Sequence, residues 1–207
     1  MTGAAAPAWT SLQVFDDAEP RLAAMNMAID EALLEHAQVR SLRFYRWRRP
    51  SLSFGYFGRY ADARELGEGR DLVRRWTGGG MVLHGSDLTY SIIIPKTSDD
   101  GIAGSRLVYE QIHEAIRRAL SAGAAEIALA ATDAPKISDA CFANPVTADV
   151  LVHGRKIAGA AQRRTRAGLL HQGSIQYEAL PAGFPETFAA ELCPRHTQIN
   201  FTSQLLT

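Results

Sequence analysis

Short strands joined by tight turns in the second half of the chain place the strongest constraint on its fold. The dipeptide His153-Gly154 lies between two apolar stretches within residues 149–157, a pattern typical of a two-residue β-hairpin turn. A second turn at 166–168 separates two further strand-like stretches. Hairpins join antiparallel neighbours, whereas parallel strands need a long crossover connection. The sequence therefore predicts an α+β fold with a mixed, largely antiparallel β-sheet flanked by helices, rather than a doubly wound parallel sheet.

The other elements follow from the period of the apolar residues. Apolar spacing of three and four predicts helices, and β-branched or alternating stretches predict strands. Helices are expected at 22–33, 108–122 and 185–192, and strands at 42–47, 51–56, 88–95 and 126–130. In the first helix, Asp30 and Glu31 are expected to face away from the buried side. Helices and strands are thus interspersed along the chain.

A length of 207 residues suits one well-cored domain and is short for two. No repeat, low-complexity tract or linker divides the sequence, which predicts a single domain over residues 1–207. Residues 1–10 are rich in Ala and Pro and are expected to form a loose N-terminus.

Charge and composition exclude several classes of function. Lys plus Arg equals Asp plus Glu at 22 each, so no global basic field indicates nucleic acid. No apolar run is long enough to span a membrane and no secretory signal is visible, so a cytoplasmic location is expected. The two cysteines and six histidines lack metal-ligand spacing, so no metal site is predicted. Arginines concentrated in 43–75 and 163–166 form either a local basic surface or scattered solvated charges.

A glycine-rich loop is the clearest candidate for a functional segment. Three consecutive glycines, Gly78, Gly79 and Gly80, follow the pair Arg74-Arg75. Glycine lets backbone N–H groups approach a ligand closely, and guanidinium groups suit a carboxylate or phosphate. The spacing matches neither a Walker A motif nor a dinucleotide fingerprint. An ordinary surface loop before a strand is the alternative.

Two nucleophilic or basic side chains stand out further along the chain. Lys156 begins a run of small residues against which a ligand could lie, although a solvated lysine at a sheet edge is the simpler interpretation. Cys141 lies in a polar loop, where a neighbouring ammonium would raise its thiolate fraction, and an inert buried thiol is the alternative. His84 and His171 are either general bases or structural hydrogen-bonding groups.

These segments occur in the order found in a known family. The chain resembles the lipoate–protein ligase A and octanoyltransferase family, which is related in fold to biotin–protein ligase. The segment 74–84 resembles the family's RRxTGGGxVxH loop, and residues 156–164 resemble its lysine strand. Residues 170–175, Leu-His-Gln-Gly-Ser-Ile, resemble its closing HxGS segment, and 26–34 resemble its opening helix. The resemblance extends from about residue 20 to 180.

The resemblance implies a substrate and a set of site residues. The substrate would be an octanoyl or lipoyl group, joined to one lysine of a lipoyl domain or a glycine-cleavage-type carrier protein. Lys156 would polarise the acyl carbonyl, and Cys141 lies where transferases of this kind carry their nucleophile. The residues expected to bind substrate are Arg75, Thr77, Gly78, Gly79, Gly80, His84, Gly159, Ala160, His171 and Gly173.

Two reactions are compatible with the resemblance. A cysteine-dependent octanoyltransferase would take the acyl group from acyl carrier protein onto Cys141 and pass it to the carrier lysine, with no covalently bound cofactor. An ATP-dependent ligase would use ATP and Mg²⁺ to form lipoyl-AMP, and it would need a separate accessory subunit because no C-terminal accessory domain is expected here. An inactive acyl-binding module is a third possibility.

Overall fold

The computed structural model describes residues 9–97, 103–121, 126–135, 142 and 144–200. In chain order, the strands are β1 (Gln13–Arg21), β2 (Ser41–Trp47), β3 (Ser51–Phe54), β4 (Asp71–Arg74), β5 (Val82–His84), β6 (Leu88–Pro95), β7 (Ile127–Leu129), β8 (Val150–Val152), β9 (Arg155–Arg164), β10 (Gly168–Ile175) and β11 (Thr197–Ile199). The helices are α1 (Ala23–His36), α2 (Tyr60–Leu66), α3 (Ser105–Leu120) and α4 (Phe184–Leu192).

Eight strands form one large sheet in the order β11–β1–β2–β6–β10–β9–β8–β7. Strand β1 runs parallel to β11 and β2, and the other described pairs of this sheet are antiparallel. A second, three-stranded sheet has the order β4–β3–β5. The predicted fold class, a mixed and largely antiparallel sheet with helices, is confirmed.

The two faces of the large sheet carry different side chains, because successive residues of a strand point to opposite faces. Phe44 and Tyr90, which pair directly, belong to the main apolar core shared with α3 and α4. Arg43 and Tyr45 point to the other face, where both contact Asp30 of α1. One face therefore packs as an apolar core, and the other is partly polar and faces α1 and the small sheet.

The burial of Asp30 corrects the sequence-based prediction for α1. Its side chain is completely buried and accepts hydrogen bonds from Arg43, Ser91 and Gln172 at 2.7–2.9 Å. Met25, by contrast, is 51% exposed on the same helix. The prediction that Asp30 faces outward is wrong because α1 packs on a polar part of the sheet, where a carboxylate finds donors.

The chain ends also differ from expectation. Strands β1 and β11 were not predicted, since the acidic residues and Pro20 of β1 conceal its pairing. Trp9, included in the expected loose N-terminus, is 6% exposed and lies in the apolar core; residues 1–8 lie outside the described residues. Within the part of the chain that the structure describes, no helix is long and apolar enough to cross a membrane.

The arginine-rich segment is not one basic surface. Arg43 is fully buried and pairs with Asp17 and Asp30 at 2.8 and 2.9 Å. Arg75 is also buried, at 7% exposure. A buried charge is tolerated only when it is paired and hydrogen-bonded. These two arginines therefore stabilise the interior, and the interpretation of the whole segment as surface charge is wrong.

Candidate functional site

The glycine loop, residues 74–80, follows β4 and docks against the end of β3. The backbone N–H of Tyr56 donates to the carbonyl of Thr77 at 2.8 Å. Gly55 is needed at this contact, because a Cβ there would lie 2.2 Å from the carbonyl oxygen of Gly79. Gly79 has φ 83°, a conformation that L side chains rarely adopt. The loop is thus held in a fixed shape by close backbone contacts.

The Arg75 guanidinium lies under this loop. Its Nη1 donates to the carbonyl and Oγ of Ser53, at 2.9 and 2.7 Å. Its Nη2 donates to the carbonyls of Gly78 and Gly80, at 3.1 and 2.7 Å. Arg75 therefore anchors the glycine loop to β3, and its contact with a substrate anion stays a prediction.

A chain of buried hydrogen bonds continues from Arg75 to Asp87. Ser53 Oγ, which accepts from Arg75, lies 2.6 Å from Nε2 of His84. Nδ1 of His84 lies 2.8 Å from Asp87, and the imidazole stacks on Trp47 with ring centroids 4.0 Å apart. These partners favour the tautomer in which His84 Nδ1–H donates to Asp87 and Nε2 accepts from Ser53.

The pKa shifts of His84 and Asp87 agree with that tautomer. Burial lowers the pKa of His84, and the Asp87 carboxylate only partly opposes it. Burial alone would raise the pKa of Asp87, but hydrogen bonds from His84, the Gly85 N–H and Ser174 bring that pKa below its ordinary value. His84 is therefore a neutral support at neutral pH, and Asp87 is ionised.

Lys156 lies near the N-terminal end of β9. Its Nζ pairs with Asp149 at 2.7 Å, and both side chains are at most 2% exposed. Its ammonium also lies 5.4 Å from the ring centre of Phe142. Gly159 makes room for it, since a Cβ there would lie 2.4 Å from Lys156 Cε. The structure thus excludes the interpretation of Lys156 as a solvated edge lysine.

A bulge in β9 decides which face Lys156 occupies. Val150 pairs with Ala158 but Leu151 pairs with Lys156, so β9 holds one residue more than β8 here. Regular alternation would place Lys156 on the face opposite Gly159. The extra residue reverses this, because bulges change the direction of side chains. Lys156 consequently lies over Gly159.

Tyr109 of α3 completes the surroundings of Lys156. Its hydroxyl donates to Asp149 at 2.6 Å and accepts from the Ala160 N–H at 3.2 Å. Burial and the charge of Asp149 raise the pKa of Tyr109 well above its usual range, so it remains a donor. Asp149 also accepts from the Val146 N–H at 2.7 Å. The carboxylate that faces Lys156 is thus fixed from two further directions.

A mainly apolar pocket lies between the large sheet, α1 and the small sheet. Among the predicted site residues, its walls include Arg75, His84, Gly159, Ala160 and Gly173. An adjoining opening shares Ala160 and is lined by Lys156, Gly79 and Gly80. Gly78 lines a shallower groove beside it. Thr77 is fully buried behind the wall, where its hydroxyl donates to Gln172 at 2.9 Å.

At His171 and Gly173 the side-chain positions point to the core face of the sheet, although the backbone of Gly173 still lines the pocket on the other face. His171 is completely buried beside Tyr90 and Tyr109, and burial lowers its pKa well below the ordinary value. A Cβ on Gly173 would lie 2.3 Å from the Tyr90 ring, so its missing side chain makes room for this tyrosine. The described structure gives His171 a supporting position in the core, away from the pocket walls.

The predicted nucleophile Cys141 lies outside the described residues. Its neighbour Phe142 is described and lines the pocket. The other cysteine, Cys193, is 1% exposed at the end of α4 and belongs to the apolar core. Among the described residues, no three His, Cys, Asp or Glu side chains lie close enough together to hold a metal ion.

Comparison with known families settles the relationship of this chain. The family model of the lipoyl protein ligase A/B catalytic domain matches residues 23–193. The chain belongs to this family. It is also 40% identical over 165 residues to the octanoyltransferase LipM of Oceanobacillus iheyensis. It is 38% identical over 175 residues to the LipM of Kyrpidia tusciae. The matches cover 75% and 77% of this chain but 60% and 64% of those relatives, so the chain spans less than two thirds of their length.

Solved structures agree on the fold. A T. acidophilum protein with bound lipoic acid gives a TM-score of 0.69 at 20% identity, covering 93% of this chain and 90% of its own. A lipoate-protein ligase A bound with ATP gives 0.63 at 20% identity, with the same coverage. At such identities the likeness concerns the fold alone.

Several residues of the candidate site were not predicted from the sequence. Asp149 and Tyr109 hold Lys156, and Asp87 and Ser53 hold His84. Asp149 offered a weak signal, since it is an acidic residue immediately before a predicted strand of an apolar hairpin. Tyr109 offered none, because it lies on a helix 40 residues away from Asp149 in sequence.

Proposed function

We propose that this chain is the catalytic domain of a cysteine-dependent octanoyltransferase. It would take an octanoyl group from acyl carrier protein and attach it to one lysine of a lipoyl domain or a glycine-cleavage-type carrier protein. The observation that carries the proposal is a buried ammonium, that of Lys156, at the opening of a mainly apolar pocket. Relatives named octanoyltransferase LipM, at 34–40% identity, support transfer over ligation. We propose one catalytic domain over residues 1–207.

In the first step the Cys141 thiolate attacks the carbonyl carbon of the donor thioester. A new C–S bond forms, the carrier's thiolate leaves, and it takes up a proton. An ammonium beside a thiol favours the thiolate, and the same ammonium stabilises the negative oxygen that develops during attack. Support for this pairing comes from Phe142, which follows Cys141 directly in sequence and has its ring 5.4 Å from Lys156 Nζ.

In the second step the neutral amine of the acceptor lysine attacks the Cys141 thioester. The amide C–N bond forms, the C–S bond breaks, and the proton released by the amine passes to the departing thiolate. The alkyl chain would lie along Gly159, which has no side chain, and Ala160, which has only a methyl group, so the pocket stays open there. The glycine loop, anchored by Arg75 and Thr77 and supported through Ser53 by His84, would form the wall near the carbonyl.

Intact mass spectrometry after incubation with octanoyl–acyl carrier protein tests this proposal. We expect a mass increase of one octanoyl group that hydroxylamine removes, and its loss in Cys141→Ala. The matched control is Cys193→Ala, which removes the buried core thiol and should still form the adduct. Full transfer by Cys141→Ala would contradict the cysteine mechanism. Pyrophosphate release from ATP, Mg²⁺ and lipoate, with an accessory subunit, would instead establish the ligase alternative. Binding without turnover would indicate an inactive module.

A further inference from the structure

The pocket has two ends that the strand order defines. Gly159, Ser174, Thr89 and Tyr45 are directly paired across β9, β10, β6 and β2, so they form one row on one face of the sheet. Neighbouring strands lie about 4.8 Å apart, so the row spans about 14 Å. Lys156 lies over Gly159 at one end. An acyl chain that enters the pocket beside Lys156 would therefore extend toward Tyr45.

Two side chains at the far end are fixed in place. The Tyr45 hydroxyl donates to Asp30 at 3.2 Å. Trp47 Nε1 donates to Thr89 at 2.7 Å, and its ring stacks on His84. Displacing either ring would leave a buried donor without its partner, which is unfavourable, so these rings resist displacement. They form a rigid end wall.

Met27 of α1 is the adaptable part of this end. It lines the pocket, is 5% exposed, and packs with Tyr45 and Trp47 in one apolar cluster. Its sulfur lies 3.5 Å from Nε2 of Gln172, and the same nitrogen donates a hydrogen bond to Asp30. Met27 therefore packs with the two rings and also lies against the polar side chain of Gln172, which lines the same pocket. An unbranched thioether adjusts to the shape of its neighbour more easily than a ring does.

We infer that Met27, backed by Tyr45 and Trp47, sets the length of acyl chain that this pocket accepts. This inference rests on the proposed function. An eight-carbon acyl chain with staggered trans torsions is about 9 Å from carbonyl to methyl carbon, and van der Waals contact at both ends brings it to about 13 Å. That length matches the row from Gly159 to Tyr45, whereas four further carbons would collide with Met27.

Acyl transfer from carrier-protein thioesters of six to fourteen carbons measures this limit. We expect the wild-type protein to prefer eight carbons and Met27→Ala to raise the rate with ten and twelve carbons relative to eight by about tenfold, the discrimination typical of a methylene or two in an apolar pocket. Met27→Phe should shift the preference to six carbons. Met25→Ala is the matched control, because this methionine is exposed on the same helix, and it should keep the wild-type profile.

Calorimetric measurement of free fatty acid binding should rank the acyl chain lengths in the same order, and it requires no turnover. A folded Met27→Ala protein with the wild-type length profile in both measurements would overturn the inference. If Met27→Ala fails to fold, Met27→Phe and the nearly isosteric Met27→Leu decide it, since only the phenylalanine should shorten the preferred chain. A wild-type protein that binds by length but transfers nothing would contradict the proposed function and leave the length limit supported.

Discussion

At the scale of single residues, the site depends on buried polar side chains that act through one another. Lys156 is held by Asp149, and Asp149 is held in turn by Tyr109. Arg75 and His84 are linked in the same way through Ser53. Such groups are stable inside a protein only when each one has a partner. Lys156 therefore owes its position to Asp149 and Tyr109, which do not line the apolar pocket, whereas Ser53 is itself part of the pocket wall.

Tyr109→Phe tests this dependence directly. The variant removes the donor to Asp149 and the acceptor of the Ala160 N–H, so the Asp149–Lys156 pair should lose its fixed direction. We expect kcat for octanoyl transfer to fall about tenfold with KM nearly unchanged, because the loss concerns stabilisation of the transition state. Steady-state kinetics measure it. Tyr60→Phe, at an exposed tyrosine, is the control, and equal kcat values in the two variants would contradict the role of Tyr109.

At the scale of elements, the site forms where regular strands are interrupted. The β9 bulge brings Lys156 to the pocket face, and β8 ends before Gly159, so the next residues of β9 have one open edge. Tyr109 covers that edge at Ala160. The hairpin that joins β8 and β9 was predicted and is confirmed, with His153 at φ 47° and Gly154 at φ 76°. The bulge beside it leaves no trace in the pattern of apolar residues.

The contact between the glycine loop and β3 gives a prediction at this scale. A Cβ at position 55 would meet the backbone of Gly78 and Gly79 at 2.2–2.9 Å, and backbone cannot move aside as a side chain can. Gly55→Ala should therefore lower the free energy of unfolding by about 1–3 kcal/mol, as overpacking does elsewhere. Urea denaturation measures it. Gly104→Ala, where a Cβ meets open space, is the control; equal stability of the two variants would show that the loop can shift freely.

At the scale of the whole molecule, three histidines are buried in neutral form around the sheet. Burial lowers the pKa of His84, His171 and His113, in the last case from 6.5 to about 4. His113 donates from Nδ1 to the Ala148 carbonyl, at 2.7 Å. In the unfolded chain the same groups take up protons near pH 6.5. The unfolded state therefore binds more protons at mildly acidic pH, and acid favours unfolding.

The free energy of unfolding should consequently have its full value above pH 6.5 and decrease as the pH falls toward 4. The shift of His113 alone corresponds to about 3 kcal/mol over that range. Denaturant titrations at several pH values measure the slope between pH 6.5 and 5, where most carboxylates remain ionised. His113→Gln should flatten the slope, whereas His36→Gln, at an exposed histidine, should preserve it. A slope unaffected by the first substitution would contradict the assignment.

Sequence patterns alone were enough to identify the family, the α+β class, the buried strand Leu88–Pro95 and the hairpin around His153. These depend on local patterns, such as apolar period, turn residues and a contiguous glycine loop, that one stretch of chain carries alone. Three further features became visible only in the folded chain: Asp30 faces inward, the His171 side chain points into the core, and Asp149 holds Lys156. These features could not be read from local patterns because the direction of a polar side chain depends on partners far away in sequence, which folding brings within hydrogen-bonding distance.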